Sequence, residues 1–341
     1  MKKVDFKDLD PEEANAFVKK SGLETYRVAQ IRRWIFGHQV ESFQEMTNIS
    51  MELRNHLNSF CIISQLKLVR TEVAGDGTKK FLFELEDGNR IESVLIPEKG
   101  HYTACISSQV GCAMGCAFCL TAKQGLIRNL RSSEIVNQVI QIRKSMEHPD
   151  TLTNIVLMGM GEPLANYEAV KRAVKNIISQ DGLNFSRRKV TLSTCGLVPE
   201  IERLGKELPV NLAISLNAAD DKTRDHLMPI NRKYPLERLI ETMRRFPLAK
   251  GTRITFEYIL IKGINDRLSD AKNLTLLLSN IRSKINLIPF NHYKGSSFES
   301  PDEGRILSFQ RELISKNYTA TIRKSKGSDI SAACGQLRTV S

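Results

Sequence analysis

The eight residues Cys112-Ala-Met-Gly-Cys116-Ala-Phe-Cys119 constrain this chain more than any other stretch. Three thiols this close can converge on one inorganic centre, and soft, deprotonated sulfur selects zinc, copper(I) or an iron–sulfur cluster. Closed structural zinc sites and electron-transfer clusters take four protein ligands, yet the next cysteine is Cys195. Three ligands leave one position open, and an open iron on a 4Fe-4S cluster can chelate a small molecule and pass it an electron. Zinc meets the spacing as well. Gly111 and Gly115 allow the backbone turns such a wrap needs, and Met114, Phe118 and Leu120 can cover the centre and keep water off it.

The remaining residues describe an ordinary globular chain. Its 341 residues, 41% hydrophobic, suffice for one large domain and a smaller one. No apolar run approaches the roughly eighteen residues that cross a bilayer, and the opening Met-Lys-Lys-Val-Asp-Phe lacks the apolar core of a signal peptide, so a cytoplasmic protein is expected. Seven cysteines, an odd number with three clustered, suit a reducing compartment better than a disulfide framework.

Lys plus Arg outnumber Asp plus Glu by 50 to 38, a net charge of +12. Basic groups at Arg128/Arg131, Lys171/Arg172/Lys175, Arg187-Arg188-Lys189, Arg244-Arg245 and Arg323-Lys324/Lys326 together suit a phosphate backbone, although each alone reads as a solvated element end.

Periodicity divides the chain. Asp10-Pro11-Glu12-Glu13 starts a helix to about residue 20, and 26–36 and 50–60 carry amphipathic spacing. Residues 1–62 therefore read as a helical accessory module, either RNA-facing through a basic stripe or a cap on the main domain. The period then falls to two over 66–73, 81–85 and 91–96, punctuated by Gly75-Asp-Gly77 and Asp87-Gly88-Asn89, which marks a β-hairpin extension over 63–97. Over 98–341 candidate strands (102–107, 154–158, 189–193, 211–216, 253–260, 285–289, 319–322) alternate with helices such as 133–146, 167–179, 235–246 and 266–280. This α/β alternation predicts a parallel sheet, open or rolled into a full or partial barrel, with ligands at the carboxyl ends of its strands. The cysteine loop follows the first of these strands. Gly161 and Glu162 close the second, and Ser193, Ser215 and Asn291 end three more, a set able to bind the ribose and amino-acid parts of one cofactor.

The cysteine loop followed by Met-Gly-Met-Gly-Glu-Pro at 158–163 resembles a radical S-adenosylmethionine enzyme. The segments Cys105-Ile-Ser-Ser-Gln-Val-Gly-Cys112, Thr121-Ala-Lys-Gln-Gly125, Leu227-Met-Pro-Ile-Asn231 and Ala332-Ala-Cys334-Gly-Gln-Leu337 are similar to those of the dual-specificity ribosomal and transfer RNA adenine C2-methyltransferases, the RlmN-like family. The resemblance implies a partial (β/α) barrel, a 4Fe-4S cluster on Cys112, Cys116 and Cys119, and S-adenosylmethionine held by Gly161, Glu162, Ser193, Ser215, Leu216, Asn217 and Asn291. The family often has His where this chain has Asn217. It further implies that Cys334 is methylated first, that a radical made from a second S-adenosylmethionine activates that methyl group for addition to C2, that Glu92 removes the C2 proton, and that Cys105 displaces the product by forming a disulfide with Cys334. Implied partners are 23S ribosomal RNA, transfer RNA, a cytosolic electron donor and a disulfide reductant, and the implied state is monomeric, with no membrane. Cys195 falls outside this set and reads as buried packing. Two other readings share these features: methylation of the same ribosomal adenosine at C8, as in the antibiotic-resistance relatives, and a non-catalytic RNA-binding protein stabilised by a metal.

Overall fold

Ten strands form one sheet in the computed structural model, which describes residues 3–338; the outermost residues of the first and last expected segments lie outside that range. In chain order they are β1 (Lys67–Val73), β2 (Lys79–Glu84), β3 (Arg90–Glu98), β4 (His101–Cys105), β5 (Leu152–Leu157), β6 (Val190–Thr194), β7 (Asn211–Ser215), β8 (Ile254–Leu260), β9 (Ser283–Pro289) and β10 (Ala320–Ile322). Each strand lies beside its sequence neighbours, and the terminal strands β1 and β10 do not meet. The sheet is an open partial barrel. Strands β4 to β10 pair in parallel, whereas β1 to β4 run antiparallel and extend the same sheet.

The parallel strands are covered on both faces, by helices on one side and by the barrel interior on the other. In β8 every residue except Ile259 is buried. The covering helices show the matching period: Val170, Ala173, Val174 and Ile177 are the buried stripe of helix Tyr167–Ile178. The hairpin turns expected at Gly77 and Gly88 are present, both glycines at φ +82°.

The N-terminal helices Pro11–Lys20, Tyr26–Arg32 and Met51–Phe60 match the expected positions, and Asp10 caps the first in a reciprocal box with Glu13. Their apolar residues Ile31, Ile35 and Phe36 join one buried cluster with Val139 and Ile177 of the main body. The basic stripe read there is reduced by Arg32, which is fully buried and donates from Nε to Asp181 Oδ2 at 2.8 Å. Two other basic groups are also neutralised internally. Arg128 pairs with Asp87 and Glu134, Arg131 with Glu86, Lys171 with Glu207, Arg172 with Glu13, and Lys175 with Asp10 and Glu12. Arg187, Arg188 and Lys189 are exposed, as expected.

Lys7 is buried, its ammonium donating to Asn137 Oδ1 at 2.7 Å and Ser64 O at 2.9 Å. Burial pushes it down to about 8 against the pull of Asp5, whereas an unfolded lysine titrates near about 10.4. Between these values the unfolded chain binds more protons, so the stability linked to Lys7 rises with pH across that window and is lost as pH falls through 8. Denaturant titrations of wild type and Lys7→Met are expected to separate in favour of wild type by about 3 kcal/mol across it. Parallel curves would mean that the buried amine stays charged.

Candidate active site

The cysteine loop is shaped by two close backbone approaches. Gly111 sits at φ +76°, where an added Cβ would stand 1.9 Å from Gly125 O, so only glycine fits. Cys112 N then donates to that same carbonyl at 2.9 Å. Farther along, Ala117 N donates to Leu227 O at 2.9 Å and Leu120 N to Gly335 O at 2.8 Å, which ties the loop to the Leu227–Asn231 segment and to the Cys334 segment. Phe118 packs with Leu227, Met228, Phe290 and Tyr293, with Met114 and Leu120 against them. The apolar cover expected over the centre is therefore present.

Cys112, Cys116 and Cys119 open on one cavity of about 490 Å³ at the carboxyl ends of the parallel strands. Burial raises all three thiols, Cys112 to about 12. Such groups ionise only against a compensating cation, and iron supplies one. Among the described residues no three His, Cys, Asp or Glu side chains meet closely enough for a single ion. A cubane makes no such demand, since each thiolate binds its own iron. The donor set and the cavity fit a cluster.

The strand-end residues divide into two kinds. Gly161, Glu162, Ser193, Ser215, Asn217 and Asn291 line the same cavity. Gly161 has φ +100°, and a Cβ there would lie 2.5 Å from Gln109 Cβ, so the backbone is pressed against the residues just before Cys112. Glu162 is fixed by Cys195 N on Oε2 at 2.8 Å and Leu164 N on Oε1 at 3.0 Å, and its carboxylate keeps further acceptor capacity. Burial raises its pKa. Asn217, at φ +60°, accepts from Ile259 N at 2.8 Å. Asn291 donates to Cys334 O at 3.2 Å. Leu216 is different: its side chain is core and it does not line the cavity, because alternation turns it away between Ser215 and Asn217. Cys195, read as packing, is buried but also faces this cavity.

Two other cysteines on this cavity come from opposite ends of the main body. Cys105 ends β4 and Cys334 lies in the C-terminal segment, yet both are free thiols on the same cavity. Burial, then the neighbouring Cys334, pushes Cys105 up to about 12. Two groups that sequence reasoning did not place here share the wall. Glu257 of β8 accepts from Ser193 Oγ at 3.2 Å, and Arg323, counted above among surface cations, turns toward Glu257 at 3.8 Å. Arg323 N donates to Leu287 O at 2.8 Å, which fixes where its side chain starts. The alternation of β8 held the signal for Glu257, an acid at an inward position between Thr255 and Ile259.

Glu92 is placed otherwise than expected. It lies within β3, is 3% exposed, and is not on the cavity wall. Its Oε2 accepts from Arg338 N at 2.9 Å and its Oε1 pairs with Lys80 at 3.2 Å. Lys80 also reaches Ile330 O at 2.7 Å and Glu72 Oε2 at 2.9 Å. Asp329 Oδ2 accepts from Gly75 N at 3.0 Å and Asp76 Oδ2 from Gly327 N at 3.1 Å. The hairpin extension thus clasps the segment that carries Cys334 from both sides.

With this geometry in view, comparison with known proteins is specific. Residues 106–274 match the radical SAM superfamily, and residues 4–63 match the ribosomal RNA large subunit methyltransferase N-terminal domain. A dual-specificity RNA methyltransferase RlmN of Pelobacter propionicus is 53% identical over 98% of this chain and 96% of its own length. The chain belongs to the RlmN family of radical S-adenosylmethionine methyltransferases. The Geobacter sulfurreducens member is 52% identical over 98% of this chain and 92% of its own. The crystal structure of a radical SAM methyltransferase from Sphaerobacter thermophilus superposes with a TM-score of 0.92 at 43% identity, covering 98% of this chain and 99% of that one. A 4Fe-4S cluster and S-adenosylmethionine are the cofactors of this superfamily and of this chain. No helix among the described residues is long and apolar enough to cross a membrane.

Proposed function

We propose that this chain methylates carbon C2 of adenine in RNA, using Cys334 as carrier of the new carbon and Cys105 to release it. The observation that carries this reading is that Cys105 and Cys334, free thiols far apart in sequence, open on the cavity of the three-cysteine loop. An ordinary methyltransferase has no use for them. C2 of adenine is electron-poor and has no lone pair, so polar transfer from a sulfonium fails there.

In this reading Cys112, Cys116 and Cys119 hold the cluster, and Gly161, Glu162, Ser193, Ser215, Asn217 and Asn291 contact S-adenosylmethionine. When bound, these cofactors supply a methyl group to a thiolate, then one-electron chemistry that activates the methyl C–H bond and takes up the surplus electron of the RNA adduct. The residues do the rest. Cys334 sulfur holds the carbon while it bonds to C2, and Glu92, the residue in the position of the family's base, receives the C2 proton once the clasp over it opens. Cys105 attacks the Cys334 sulfur: an S–S bond forms, the S–C bond breaks with its electron pair left on carbon, and that carbon takes a proton to become the methyl group. A reductant must then reopen the disulfide. Lys324 and Lys326, which line the cavity and reach solvent, suit a phosphate backbone leading an extruded adenosine inward.

Within this reading the chain acts in the cytoplasm as a monomer, with residues 1–62 and 63–97 as accessory elements to a core over 98–341. The substrates are an adenosine of the 23S peptidyl transferase centre and the adenosine 3′ of the anticodon. The decisive experiment is anaerobic reconstitution with iron and sulfide, then incubation with reductant, S-adenosylmethionine and unmodified 23S fragment or transfer RNA. Digested nucleosides are read by mass spectrometry against 2- and 8-methyladenosine. The expected product is 2-methyladenosine, absent in Cys334→Ala. Appearance of 8-methyladenosine would move the chain to the C8 chemistry, and a loaded cluster giving neither product would overturn the substrate.

A further inference from the structure

Arg224 carries a positive charge behind the cysteine loop that is hydrogen-bonded to no carboxylate. It lies in helix Asp221–Leu227 and is fully buried. All its hydrogen bonds go to neutral oxygens: Nε to Leu216 O at 3.1 Å, Nη1 to Asn231 Oδ1 at 2.9 Å, and Nη2 to Cys195 O at 2.7 Å and Ser215 O at 3.4 Å. Two aspartates stand close by but bond elsewhere: Asn231 Nδ2 donates to Asp221 Oδ1 at 2.8 Å and Asp225 Oδ1 at 2.7 Å, and Leu236 N to Asp221 Oδ1 at 2.9 Å. A guanidinium held out of water against dipoles alone is costly unless an anion completes the site.

The partners Cys195 and Ser215 line the cluster cavity, so Arg224 stands behind that wall. Its own helix ends in Leu227, whose carbonyl holds Ala117 of the loop at 2.9 Å. Pro229 packs within 3.6 Å of where a Cβ on Gly115 would stand. Cys195, its carbonyl partner, packs in one apolar group with Cys116 and Cys119. We infer that Arg224 is the fixed counter-cation of the iron–sulfur cluster and keeps its reduction potential within reach of the electron donor. This rests on the cofactor assignment above. A cubane on three thiolates carries net negative charge and gains one more on reduction, so a buried cation nearby favours the reduced form. The fork of the same side chain ties the ends of β6 and β7, and the experiment must separate that bracing from the charge.

The test is the midpoint potential of the reconstituted full chain without S-adenosylmethionine, read by redox titration of the cluster's absorbance, together with the thermal midpoint of each protein. Removing the charge in Arg224→Gln is expected to lower the reduced-to-oxidised ratio at a fixed potential on the order of tenfold, equal to about 59 mV for a one-electron couple. Arg224→Lys keeps charge without the fork, and is expected to lose thermal stability while holding a potential near wild type. Should Arg224→Gln fail to fold, Arg224→Met fills the same apolar space without charge, with the same lowering expected. A loaded Arg224→Gln or Arg224→Met cluster at the wild-type potential would overturn the proposal and leave Arg224 a brace. Failure of the wild type itself to take up a cluster would instead overturn the cofactor assignment.

Discussion

Cys105→Ala is expected to leave the first methylation of Cys334 intact and stop release, so that RNA accumulates joined to the protein through the Cys334 sulfur and turnover falls by about 10⁴-fold or more. The reason is bond breaking. Once the new carbon joins C2, Cys105 is the thiol beside the Cys334 sulfur: the cluster thiols are committed to iron, and the Cys195 thiol is paired with Glu162. At rest Cys105 is a neutral thiol, since burial and then Cys334 push it up to about 12. Arg323 opposes both, and it faces Cys334 as well. Denaturing electrophoresis of labelled RNA, followed by mass spectrometry of the Cys334 peptide, reads the adduct directly. Free methylated RNA produced at the wild-type rate would remove Cys105 from the mechanism.

The second large effect belongs to the clasp. Lys80→Met is expected to destabilise the protein by about 3–5 kcal/mol, because it leaves the Glu92 carboxylate buried without its cation. The loss should be local first. Lys80 is the one side chain bridging Glu92 and the Ile330 carbonyl, with 8% of its own side chain and 4% of that of Glu92 exposed. The backbone of 327–338 should therefore lose hydrogen-exchange protection before the parallel strands do, and Cys334 should react faster with a thiol reagent. Glu92→Gln keeps an acceptor for Arg338 N and adds no charge, so it should open the segment less. Unaltered exchange over 327–338 in Lys80→Met would show that the segment is held from the cavity side alone, through Asn291 and Gly335.

Much of this was legible beforehand for physical reasons. Helix Pro11–Lys20 announces itself because Asp10, Pro11 and Glu13 act within one turn, and the hairpin turns do so because Gly77 and Gly88 supply the left-handed backbone. The three-cysteine spacing specifies soft-metal chemistry through the ligands alone. Surface charge was less legible. Arg128, Lys175 and Arg32 look like phosphate contacts in a list of cations, and only the acids that the fold brings beside them, Glu134, Asp10 and Asp181, show their charge to be taken up.

By itself, then, the sequence determined what depends on neighbours along the chain: element positions, the cysteine loop, and the glycines that let backbone approach a ligand. Tertiary structure decided everything that depends on residues meeting across the fold. It set Cys105 and Cys334 on one cavity, moved Glu92 under a clasp instead of onto the wall, turned Arg323 inward, and buried Arg224 behind the cluster loop. Local sequence carries helix caps and turn torsions because they are settled within a few residues. The pairing of distant charges and thiols is settled only when an open sheet of ten strands closes around them.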